Sequence, residues 1–191
     1  MSDLLVLLDL EATCWADGEL TSIDRHEVIE IGCVLTNFQG VVIDEFQTFV
    51  KPINDPQLSP FCMSLTHICQ ADVDSAPEFA KAMRLLDQWC AGRSKLWSSW
   101  GNYDAKMLKS EQKLKGVDSD FMKMIHFNLK RAWRLSSKQR HRTGLGSTLE
   151  YLGLPFEGTA HRALDDARNT ARILPHIARE KIDLVISEVA T

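Results

Sequence analysis

The chain has 191 residues, 45% hydrophobic and 25% charged, enough for one sizeable core and short for two, so a single domain over 1–191 is expected. No apolar run approaches the roughly 20 residues that span a bilayer, and the N-terminus lacks the basic start and cleavage site of a secretory signal, so an intracellular, cytoplasmic protein with no membrane partner is expected. The 5 cysteines, Cys14, Cys33, Cys62, Cys69 and Cys90, are odd in number and form no Cys-x-x-Cys, which excludes a disulfide framework or a zinc knuckle and predicts buried free thiols.

In chain order, the apolar run 4–8 continues into Asp9-Leu10-Glu11 and predicts a buried strand over 4–11. Residues 27–36 (EVIEIGCVLT) and 41–50 (VVIDEFQTFV) predict two more, joined through Asn37-Phe38-Gln39-Gly40 as an antiparallel hairpin. Pro52, Pro56 and Pro60 give 51–76 the composition of a loop. Ser75-Ala76-Pro77-Glu78 predicts the start of a helix that runs to about Gly92, with Phe79, Ala82, Met83, Leu86 and Cys90 on one face. Residues 95–101 predict a fourth strand, 104–115 a helix and 125–129 a fifth strand. Gly144-Leu145-Gly146-Ser147-Thr148 has no strand directly before it and no lysine after it. It reads as a turn with a serine or threonine cap, not a phosphate cradle, and leads to a short helix with Leu149 and Leu152. Ala163 opens a last long helix that Pro175 should kink or end after Leu174. A strand meander followed by alternating strands and helices implies an α/β fold, a mixed sheet of about five strands with helices on both faces.

Alternation along the first strand projects Asp9 and Glu11 from the same side, while Leu10 points the other way. Like charges at the end of an apolar strand repel and resist desolvation, and a bound divalent cation removes both penalties. Asp104 stands where the fourth strand has ended and a helix begins. A cap role and a site role are compatible there, because α/β sheets place their sites at the carboxyl ends of strands. In the last helix, at about 100° per residue, Ala163, Leu164, Ala167, Ala171, Leu174 and Ala178 form the buried stripe. Asp165 falls opposite them among Arg168, Asn169 and Arg172, as a solvated residue, whereas Asp166 flanks the stripe beside Ala163 and Thr170 and can look toward a site. His161, five residues before Asp166 in a loop, is a side chain suited to accepting a proton near neutral pH. An all-carboxylate donor set selects a hard cation, magnesium or manganese over zinc, and two such ions suit in-line hydrolysis of a phosphodiester by water.

The net charge of −4 is unevenly spread. Residues 121–149 contain no acidic side chain but hold Lys123, Lys130, Arg131, Arg134, Lys138, Arg140 and Arg142, with His126, His141, Phe127 and Trp133 among them. Such a stretch suits a phosphate backbone, with aromatic rings on which bases stack. Nucleic acid is the expected partner, and Lys138, Arg140 and Arg142 are its candidate contacts.

Asp9-x-Glu11 in a first strand, Asp104 after a later strand and His161-x4-Asp166 opening a helix resemble the DEDDh 3′-to-5′ exonucleases, which have the ribonuclease H-like fold. The likeness covers about 4–179. DLEATCW (9–15), LSPFCMSLTHI (58–68) and LGLPFEGTAHRALDDARNTARI (152–173) are similar to the Eri-type subgroup of RNA-directed exonucleases. The resemblance implies two magnesium or manganese ions, with Asp9 touching both, Glu11 and Asp166 completing the first, Asp104 supporting the second and His161 as general base. It also implies that Leu10, Ala12 and the segment 63–68, including Met63, Leu65 and Thr66, flank the terminal base. Two departures stand out. His67 replaces the glycine usual after Leu65-Thr66, and the first strand begins almost at Met1, so help from an accessory nucleic-acid-binding domain would have to come from elsewhere, such as the stretch 121–149. The expected activity is release of nucleoside 5′-monophosphates from RNA 3′ ends, single-stranded DNA being a further substrate. A DNA-trimming or proofreading-type exonuclease and a catalytically silent nucleic-acid-binding protein are the alternatives.

Overall fold

The structure, a computed structural model, describes residues 4–16, 23–137, 139, 141 and 143–189. Its centre is β1 (Leu4–Ala12), a strand apolar enough to be covered on both faces. β1 pairs antiparallel with β2 (Val28–Asn37), which pairs antiparallel with β3 (Val42–Phe49); on its other side β1 runs parallel to β4 (Leu96–Ser99), and β4 to β5 (Ile125–Asn128). The order β3-β2-β1-β4-β5 makes the expected five-stranded mixed sheet. The hairpin turn also forms: the Asn37 side-chain oxygen accepts from the N–H groups of Gln39 and Val41 at 3.0 Å each, and Gly40 takes φ 77°.

Helices cover both faces. Leu5 and Leu7 meet Leu164, Ala167 and Ala171 of α7 (Ala163–Ile173), together with apolar residues of α5 (Leu129–Ser137), α6 (Leu145–Tyr151) and α8 (Arg179–Val189). Val6, Leu8 and Leu10 meet the predicted stripe of α3 (Phe79–Cys90) and Met107 and Leu108 of α4 (Tyr103–Lys115). Among the described residues, no helix is long and apolar enough to cross a membrane.

Several local expectations are corrected. The segment 51–76 is not simply loop: α1 (Pro60–Thr66) and α2 (Gln70–Asp74) lie in it. Pro60, counted toward the loop-like composition, occupies the first turn of α1, and the Ser59 hydroxyl caps it by accepting from the Cys62 N–H at 2.9 Å. Ser75 closes α2 instead of capping α3, where Glu78 takes that position. Gly144 precedes α6 with no side-chain cap, since Ser147 and Thr148 lie inside the helix. Pro175 does end α7, through a turn over Leu174–His176, but α8 follows it, so α7 is not the last helix. Three cysteines are buried as expected, while Cys14 is partly exposed and Cys69 is exposed.

The approach of α7 to the sheet depends on Gly32. A Cβ built there would lie 2.1 Å from the Leu164 nitrogen and 2.2 Å from the Ala163 carbonyl carbon. Backbone atoms cannot yield as a flexible side-chain tip can, so Gly32→Ala pushes the start of α7 off β2. The expected cost is about 1–3 kcal/mol or more, read as a melting temperature lowered by several degrees, with the displaced helix also depressing any activity that uses Asp166.

Candidate active site

On β1, the odd-numbered residues face α7. Leu5 and Leu7 are core, and the same face ends in Asp9 and Glu11. Across the antiparallel pair, Asp9 stands opposite Gly32 and Glu11 opposite Glu30. Gly32 lets the first turn of α7 come down onto this face, and Asp166 comes with it. Asp104 enters from the first turn of α4 beyond the end of β4, where Asn102 takes the cap position instead. Among the described residues, Glu11, His161 and Asp166 offer ligand atoms that all lie within 4.8 Å of one another. His161 is exposed and has φ 61°, a left-handed backbone uncommon for a residue with a side chain and concentrated at functional sites.

The electrostatics of this group are those of charges without a counter-ion. None of the ion pairs among the described residues involves Asp9, Glu11, Asp104 or Asp166. Burial, then repulsion from Asp104, Asp166, Glu11 and Glu30, pushes the Asp9 carboxyl well above the usual carboxylate range. Burial, with repulsion from Asp166, Glu30 and Asp104, lifts Glu11 to about 8. Burial lifts Asp166 to about 7 against the opposing effect of a hydrogen bond from the His161 backbone N–H. Asp104 rises to about 6 through burial, restrained by hydrogen bonds from the Ser99 hydroxyl and from backbone groups at Asp104 and Leu10. Oxygen donors that repel each other and have no cation paired with them among the described residues fit one or more hard divalent ions.

The residues around α7 correct the helical-wheel reading. Asp165 is not a solvated bystander. Its carboxylate accepts from the Thr159 N–H at 2.9 Å and pairs with Arg168 at 2.8 Å. Asn169, placed with the polar outer face, is fully buried; its amide donates to the Glu157 and Asp165 carbonyls at 2.7 and 2.8 Å, and its oxygen accepts from the Glu157 N–H at 3.1 Å. The outer face of α7 is thus covered by the chain that leads into it, and these bonds shape the segment carrying His161.

The expected substrate contacts fare unevenly. Leu10 is buried on the opposite face, away from the carboxylates. Thr66 is fully buried, its hydroxyl donating to the Cys62 carbonyl at 2.8 Å and accepting from the Ile68 N–H at 3.2 Å, so it shapes the end of α1 and presents nothing to solvent. Ala12, Met63 and Leu65 are partly buried. His67 closes α1 with φ 58°, the left-handed conformation for which glycine is the usual choice. Lys138, Arg140 and Arg142 lie outside the described residues. Phe127 and Trp133 are core residues and offer no face for stacking bases, while Lys123 pairs with Asp118 and Asp120, and Arg131 with Glu188. Tyr103, half-exposed beside Asp104, was not singled out by pattern; burial, then the nearby Asp104, Cys14 and Glu11, raises its phenol. Glu30 is fully buried against Arg162.

The family model described as Exonuclease, RNase_T, matches residues 6–174. Human ERI1 exoribonuclease 2 is 31% identical over 216 residues, covering 99% of this chain and 31% of that protein. The 3′-5′ exonuclease eri1 of Schizosaccharomyces pombe is 30% identical over 208 residues, covering 94% of this chain and 69% of the relative. Among solved structures, the nuclease domain of 3′hExo, a DEDDh family member, bound to rAMP, superposes with a TM-score of 0.82 at 31% identity, covering 97% of this chain and 94% of that one. The chain spans less than a third of the human relative's length. It belongs to the RNase_T exonuclease family, among the DEDDh, Eri-type members, and has their ribonuclease H-like fold.

Proposed function

We propose that the chain is a metal-dependent 3′-to-5′ exoribonuclease that removes nucleoside 5′-monophosphates. The observation carrying this reading is a set of carboxylates, Asp9, Glu11, Asp104 and Asp166, near enough to repel one another and paired with no cation among the described residues, beside an exposed histidine whose ligand atom lies within 4.8 Å of those of Glu11 and Asp166. Asp9, Glu11, Asp104 and Asp166 would hold two magnesium or manganese ions. Such ions, when bound, neutralise charge developing on a phosphodiester in an in-line displacement. His161 accepts the proton of the attacking water; its exposed position on the rim, with its backbone N–H tied to the Asp166 carboxyl, suits a base that must reach solvent. RNA is favoured because the relatives are named exoribonucleases and a similar domain was solved with a ribonucleoside monophosphate.

The test is a 5′-labelled oligonucleotide incubated with magnesium. A descending ladder on RNA, abolished by EDTA and slower on the matched DNA strand, is the expected result. A faster rate on DNA would favour a DNA-trimming enzyme, and RNA binding unchanged by EDTA with no ladder on either strand would favour a silent binding protein. His161→Ala should lower kcat by roughly 100-fold to 10,000-fold, the usual contribution of a general base, while RNA still binds.

A further inference from the structure

Glu30 is a buried carboxylate that the proposed reaction does not use. It sits opposite Glu11 in the β1/β2 pair, fully shielded from solvent. Arg162 Nε donates to its Oε2 at 3.1 Å and Arg162 Nη2 to its Oε1 at 3.0 Å; the Ala163 N–H donates to Oε2 at 3.1 Å, and the Gln47 amide donates to Oε1. Every oxygen lone pair of consequence is thus engaged, two by a planar fork for which lysine is no substitute.

The partner's place in the chain gives this network its meaning. Arg162 is the residue between His161 and α7, at the position where a side chain usually caps a helix, and it makes no such bond. The first N–H of α7 is satisfied instead from across the sheet, by Glu30. The Arg162 carbonyl accepts the Asp166 N–H at 2.9 Å, and its guanidinium lies 5.3 Å from the Phe49 ring centre. One clamped residue therefore holds His161 in its left-handed conformation on one side and the turn bearing Asp166 on the other. The same pairing gives Glu30 a cation of its own and ties its oxygens to the first turn of α7.

We infer that Glu30 and Arg162 are a positioning pair: they set where His161 and Asp166 stand relative to Glu11. This rests on the exonuclease reading above. A purely structural ion pair would affect stability and leave turnover and metal affinity alone.

The discriminating variant is the double substitution Glu30→Gln with Arg162→Met, which removes both charges and leaves neither buried alone, unlike either single change. Its melting temperature and its KM for a short RNA should stay close to wild type. Its kcat should fall roughly 10-fold to 100-fold, and Mn2+ binding, followed by calorimetry without RNA, should weaken by a similar factor, the usual cost of losing a residue that orients metal ligands. A folded double variant with wild-type kcat and Mn2+ affinity overturns the pair. If the double variant does not fold, Arg162→Lys decides: it keeps the charge but loses the fork, so a folded protein with lowered kcat and unchanged KM supports the pair, and unchanged kcat overturns it. A wild-type chain that neither binds Mn2+ nor trims RNA overturns the exonuclease reading together with the pair, whereas an active wild type beside an unchanged double variant overturns the pair alone.

Discussion

Asp9→Asn should reduce single-turnover trimming of a 5′-labelled RNA by roughly a thousandfold or more, about 4 kcal/mol of transition-state stabilisation. The substitution keeps the shape of the side chain and removes only its charge. Asp9 lies on the central strand, with β2 on one side and β4 on the other, so the sheet that carries it is held independently of that charge. Its carboxyl is also opposed by its neighbours, with Asp104, Asp166, Glu11 and Glu30 all raising it after burial. Loss of that charge relieves repulsion, so the metal-free variant should melt no lower than wild type at pH 8 while its turnover collapses. A rate within tenfold of wild type would remove Asp9 from the proposed metal site.

The second large effect is a coupling between protons and metal. Burial is the main cause that lifts Glu11 to about 8, Asp166 to about 7 and Asp104 to about 6. A cation must displace these protons, and each one displaced steepens the dependence by about tenfold per pH unit. Between pH 6.5 and 7.5 the affinity for Mn2+, read by calorimetry, should therefore rise roughly 10-fold to 100-fold. A flat affinity across pH 6 to 8 would contradict the shared site.

The sign for stability follows from the same shifts. A carboxyl whose folded value lies above its unfolded value of about 4 favours folding when protonated. That contribution is present below the unfolded value and is lost as pH rises through the folded values of about 6, 7 and 8. Without metal, the protein should melt lower at pH 8.5 than at pH 5.5, and Mn2+ should restore the difference. Glu11→Gln should raise the metal-free melting temperature at pH 8 and weaken Mn2+ binding.

Patterns in the chain were sufficient for β1, β2, β3, α3, α4 and α7, because alternation and helical periodicity are local properties of long amphipathic or apolar segments. They were insufficient for α1 and α2, with 7 and 5 residues, which are too short to display a period. α5 was hidden by its basic residues, although Leu129, Ala132 and Trp133 mark a buried stripe in retrospect. For the site, phase distinguished Asp166 from Asp165, yet it misjudged Asp165 and Asn169 because a helical wheel carries no information about a loop folded over its outer face.

Residue type and spacing alone therefore determined the chemistry on offer: two carboxylates on one face of a strand, another at a helix start, and a histidine five residues ahead of a fourth. Tertiary structure decided how those groups behave. Repulsion and desolvation depend on distances between segments, so only the folded chain reveals carboxyls raised toward neutrality and, among the described residues, paired with no cation. Glu30 illustrates the division most plainly. In sequence it is one more acidic residue of a strand, and its meaning comes from an arginine 132 positions away that the fold brings within hydrogen-bonding distance.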